Sequence, residues 1–138
     1  MIHFVTKNQL PKMKKAIKID LSICESKEDV ILLISKKIRG KDSPDLVSGR
    51  SLDALFDVVS DFFMENWLTW GDICIYGWGD FSLQHPMLSQ QILSLIMDAY
   101  ISGISSTLRL IEWGDINYQS SNLLSAVTEK KPFIYVVI

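Results

Sequence analysis

No lysine or arginine occurs between Ser51 and Leu108, although the chain of 138 residues carries 14 of them. The same stretch holds seven carboxylates: Asp53, Asp57, Asp61, Glu65, Asp72, Asp80 and Asp98. A phosphate backbone is gripped by Lys and Arg, so the composition disfavours this stretch as a nucleic-acid surface. Two cysteines, Cys24 and Cys74, are too few for a disulfide framework and read as small buried hydrophobes. The two histidines, His3 and His85, stand far apart with no second ligand at metal-binding spacing. Neither pairs with a cysteine as base with nucleophile, so no catalytic residue is assigned. The glycines match no phosphate-cradling loop. No apolar run approaches the roughly 18 residues of a membrane span, and the first residues lack a leader pattern. A cytoplasmic protein with reduced thiols is the expectation.

What is present is a chain 48% hydrophobic, enough for one domain with a real core. Its net charge of −2 hides an asymmetry. Residues 1–50 hold 11 Lys and Arg against 6 Asp and Glu, whereas residues 109–138 hold 3 of each. The acidic middle therefore favours a cationic partner, or an ordinary solvated face balanced by lysines folded nearby. Its densest part is a helix starting near Ser51 and running to about Glu65. Leu52, Leu55, Phe56, Val59, Phe62 and Phe63 recur at three- and four-residue spacing and make its apolar face. Asp53, Asp57 and Asp61 recur every fourth residue and stack along a neighbouring face. Each like-charged pair weakens an isolated helix by roughly 0.2–0.5 kcal/mol. Only Asp53 recovers much of this, from the positive end of the helix dipole.

Around that helix the pattern predicts strands at Ile2–Val5, Ala16–Leu21, Ile73–Trp78, Leu108–Trp113 and Phe133–Ile138. It predicts helices over Lys27–Arg39, capped by Ser26 and closed by Gly40, and over Ser89–Ser102, ended by Gly103. A weaker helix is predicted over Ser120–Lys130. Loops are expected at Asn8–Met13, Lys41–Gly49 and Gly79–Pro86. Continuous apolar strands between helices give an α/β fold: a small domain with a largely parallel, three- to four-stranded sheet flanked by helices. A C-terminal helix–strand extension follows, its strand expected at a sheet edge together with the first few residues.

The stretch Gly49-Arg50-Ser51-Leu52-Asp53-Ala54-Leu55-Phe56-Asp57 resembles the barstar-family motif Gly-x-Asn-Leu-Asp-Ala-Leu-Trp-Asp. The order of predicted elements is similar too, from a first strand at Ala16–Leu21 to a closing strand at Leu108–Ile111. The resemblance covers roughly residues 15 to 113, leaving 114–138 as an extension of a single domain. Ser51 replaces the motif asparagine and Phe56 the motif tryptophan. Leu46, Val47 and Ser48 stand where the family often has loop aromatics, and Arg50 adds a positive charge beside the acids.

Barstar-like proteins inhibit a secreted ribonuclease by plugging its active site with this helix and the loop before it. The resemblance therefore implies an inhibitor or immunity protein whose partner is a cognate basic toxin. It implies partner-binding roles for Leu46, Val47, Gly49, Ser51, Asp53, Asp57 and Asp61, with Asp98 as the further acid on the last helix. Such carboxylates would stand in for substrate phosphates. No cofactor, metal, membrane, nucleic acid or small-molecule substrate is expected. Two alternatives stay open: a small hydrolase using the carboxylates, with or without Mg²⁺, and a regulatory α/β domain without an inhibitor role.

Overall fold

The computed structural model describes residues 2–13, 16–39, 51–66, 72–112 and 133–138. Four strands, β1 (Ile2–Val5), β2 (Ala16–Asp20), β3 (Asp72–Tyr76) and β4 (Ile134–Val137), form one sheet in the order β1-β4-β3-β2. All three pairings are parallel. Helices α1 (Lys27–Arg39) and α2 (Leu52–Asn66) lie between β2 and β3 in the chain. Helices α3 (Trp78–Gln84) and α4 (Pro86–Glu112) lie between β3 and β4. The predicted α/β class and parallel sheet are both present.

Register decides the faces. Ile17 pairs with Ile73, Ile19 with Ile75, and these in turn with Ile134 and Val136. Residues at alternate positions share a face, and Ile19, Ile73, Ile75, Ile134 and Val136 join one core cluster with α1 to α4. Both β2→β3 and β3→β4 step one strand in the same direction, so right-handed crossovers put all four helices on that one face. Cys74, between Ile73 and Ile75, points to the other face. It is fully buried there, its thiol 3.5 Å from the Met13 sulfur. The β1–β2 connection thus passes behind the sheet while the helices cover the front.

The helix starts follow local chemistry. The Ser51 hydroxyl oxygen accepts from the Ala54 N–H at 3.1 Å, and the Ser26 hydroxyl oxygen accepts from the Asp29 N–H at 3.2 Å. On α2, Leu55, Val59 and Phe63 are buried as the spacing predicts, with Leu52, Phe56 and Phe62 partly so. On α1, Val30 and Ile34 are buried as expected, and Ile31 joins them.

Several expectations fail. The strand predicted at 108–113 is absent: residues 108–112 continue α4. Its apolar residues suit either conformation, and extending an existing helix is easier than starting a strand. Gly103 consequently does not end a helix. It is buried in α4 where α4 presses on α2, and a Cβ there would stand 2.6 Å from Phe63 Cβ. The segment predicted as a loop at 79–86 is mostly α3. Gly77, at φ 72°, turns the chain into it, Trp78 and Phe81 are its buried side chains, and Pro86 opens α4 in place of Ser89.

The final strand was expected at an edge but lies inside the sheet, between β1 and β3. β1 does occupy an edge. The closing strand of the fold is therefore Ile134–Val137, not 108–111. A carboxylate fixes its entry: Asp72 Oδ1 accepts from the Phe133 N–H at 3.0 Å. Gly40, the loop 41–49 and the helix expected at 120–130 lie outside the described residues.

Candidate functional site

Helices α2 and α4 pack side by side, and an open cleft of about 510 Å³ runs between them on the outer surface. Leu52, Asp53 and Phe56 form its α2 wall. Met87, Gln91, Ser94 and Asp98 form most of its α4 wall. Asp53 and Asp98 are 45 positions apart in sequence, yet both are exposed at this cleft. Asp57 is exposed one turn beyond Asp53, outside the cleft lining. Among the described residues, no Lys, Arg or His lines the cleft. Its floor is apolar, from Phe56 and Leu95, beneath a rim of carboxylates and amides.

Among the described residues, Asp53, Asp57 and Asp98 form no ion pair, whereas Asp61 lies 3.8 Å from Arg39 of α1. That contact is long and its carboxylate half exposed, so it contributes little to stability. It does give the last acid of the ridge a neighbour of opposite charge, which no residue of α2 itself supplies. Ser51 spends its hydroxyl on the α2 start. Leu46, Val47 and Gly49 fall outside the described residues. Of the expected site residues, the fold therefore brings Asp53 and Asp98 to one cleft, stacks Asp57 above Asp53, and sets Asp61 apart beside α1.

The sequence reading missed Met87, Gln90, Gln91 and Ser94. They form, with Asp98, a stripe at three- and four-residue spacing on the side of α4 opposite Ile92, Ile96 and Ala99. The signal was periodic and available within the predicted helix for Gln90, Gln91 and Ser94; only Met87 required the helix to begin at Pro86. Met87 is also one of the two most exposed large apolar side chains among the described residues, at 76%, with Leu83 at 82%.

No cluster of three or more His, Cys, Asp or Glu side chains suited to a metal ion occurs among the described residues. Nor is any described helix long and apolar enough to cross a membrane. Of the four tryptophans, Trp78 is buried, and Trp67, Trp70 and Trp113 are outside the described residues. Set against models of protein families, curated proteins and solved structures, the chain matches none.

Proposed function

We propose that the chain is an inhibitor of the immunity type, which binds a cognate basic toxin and blocks its active site, and that the toxin is a ribonuclease. One observation supports this most: Asp53 and Asp98, from distant parts of the chain, stand at one open cleft where no described residue is a cation. An active site that grips phosphates presents Arg, Lys and His. Carboxylates on a rigid helix pair are suited to those groups through charge-assisted hydrogen bonds. Asp53 and Asp57 are the central contacts in this reading, Asp98 the flanking one, and Asp61 the weakest because Arg39 already neighbours it. The apolar floor of the cleft would exclude water around the charge pairs, which strengthens them.

The reading is tested by titrating the full chain against a basic ribonuclease encoded beside its gene. Asp53→Ala and Asp57→Ala are each expected to weaken binding by about 2 kcal/mol or more. Their thermal melts should match wild type, because both side chains are exposed. Equal affinity for wild type and both variants would overturn the proposal.

A further inference from the structure

The carboxyl ends of β2, β3 and β4 surround a second crevice, of about 410 Å³, well separated in the chain from the acids of α2. Topology opens it. The connection leaving β1 passes behind the sheet, where Met13 covers Cys74, and the one leaving β3 enters α3 on the front. β4 lies between these two strands, and where the connections flanking a strand part to opposite faces, an open parallel sheet leaves a gap beyond its strand ends, the usual place for a ligand in such folds.

The lining groups define the chemistry. Lys7 comes from the turn after β1, Asp20 from the end of β2, and Asp80 from the first turn of α3. Tyr76 and Ser22 also line it. The Asp20 carboxylate is fixed in place: one oxygen accepts from the Ser22 hydroxyl at 2.6 Å and from the Ser22 N–H at 3.0 Å. First the hydroxyl and then the N–H hold its carboxyl below the usual range, and the Lys7 charge adds to this against a small opposing effect of burial. Yet no ion pair joins Lys7 to Asp20 or Asp80. Opposite charges face the same gap without closing it. Gly77 leaves no room for a side chain, since a Cβ would lie 2.8 Å from the Ser22 nitrogen. Gly79 faces open space, with nothing within 4 Å of a Cβ.

We propose that this crevice binds a small zwitterion of the amino-acid or dipeptide class, its ammonium between Asp20 and Asp80 and its carboxylate on Lys7. A ligand with both charges satisfies both walls at once, whereas a simple anion or cation meets one wall and is repelled by the other. The proposal is independent of the inhibitor reading, because none of these residues belongs to the α2–α4 cleft.

The test is a titration of the full chain with glycylglycine, followed by amide NMR. Saturable shifts are expected at Ser22, Gly77, Gly79 and Asp80. Methylammonium and acetate, each carrying half of the charge pattern, should bind at least about tenfold more weakly. Lys7→Gln and Asp80→Asn should each weaken glycylglycine by about tenfold with unchanged melts, since both side chains are exposed. Gly79→Leu, which fills the gap without striking a neighbour at Cβ, should abolish binding. The proposal is overturned if glycylglycine shifts none of these amides, if both charge variants bind as wild type does, or if Gly79→Leu still binds.

Discussion

At the scale of single residues, the same side-chain type plays different parts according to its neighbours. Asp72 anchors the start of β4 through the Phe133 N–H, Asp20 is gripped by Ser22, and Asp61 lies beside Arg39. Asp53, Asp57 and Asp98 are left facing solvent, the arrangement a hot-spot carboxylate needs before its partner arrives. The cysteines show environment acting on chemistry. Both are free and buried, and burial is the main reason that both thiols lie above their usual range, with Asp29 raising Cys24 and Asp72 raising Cys74 further. Because folding favours the protonated thiol, this contribution to stability is present below the ordinary thiol pKa and is lost as pH rises towards the folded value. Native protein at pH 8 should therefore react slowly with a thiol-specific chromogenic reagent, and both thiols should react rapidly once denaturant is added. Immediate labelling of the native protein would contradict the buried positions. The cysteines were legible as buried hydrophobes from their apolar neighbours. The Asp61–Arg39 contact was not, because it joins two helices through a packing angle that no local spacing contains.

At the scale of elements, α2 and α4 form the frame that carries the cleft, and glycine sets how closely they approach. Gly103 sits against Phe63, whose side chain is fully buried. Alanine favours a helix over glycine by about 1 kcal/mol, so on propensity alone Gly103→Ala would stabilise the protein. The 2.6 Å approach to Phe63 Cβ reverses the sign, because backbone-borne atoms rather than a flexible side-chain tip must move. A net loss of about 1–3 kcal/mol is expected, as for other overpacked cores. A chemical denaturation curve checks this, and a stabilised variant would mean that the helices separate freely. Most of the α2 pattern was readable, since its apolar face, its start at Ser51 and its acidic stripe are local features; the burial of Val58, off the predicted face, was not. The end of α4 was not. A glycine near the end of an apolar run carries the same local signature whether it stops a helix or admits a neighbour, and only the presence of Phe63 separates the two.

At the scale of the whole molecule, the last strand completes the sheet. β4 hydrogen-bonds to β1 on one side and β3 on the other, and Ile134 and Val136 are fully buried. A chain ending at residue 113 would expose the edges of β1 and β3 and open the core. It is expected to lose cooperative unfolding and native hydrogen-exchange protection in β3. A cooperative melt for that truncation would show that residues 133–138 are dispensable. Charge distribution also acts at this scale. If the proposed function holds, the absence of Lys and Arg from residues 51–108 leaves the carboxylates of α2 and α4 to steer a basic toxin. The association rate should fall steeply as salt shortens the screening length from about 30 Å at 0.01 M to about 10 Å at 0.1 M. A rate that stays flat across that range would remove steering from the account.

The sequence by itself determined the α/β class, strands at residues 2–5, 16–21, 73–78 and 133–138 that lie within two residues of the observed ones, the start of α2 and the exposure of Asp53, Asp57 and Asp61, because each follows from periodicity and capping within a few residues. Only the tertiary structure decided that β4 lies inside the sheet, that all four helices share one face, and that Asp53 meets Asp98 across a cleft. Strand order and helix pairing depend on which distant surfaces pack together, a choice set by the summed burial of the whole core.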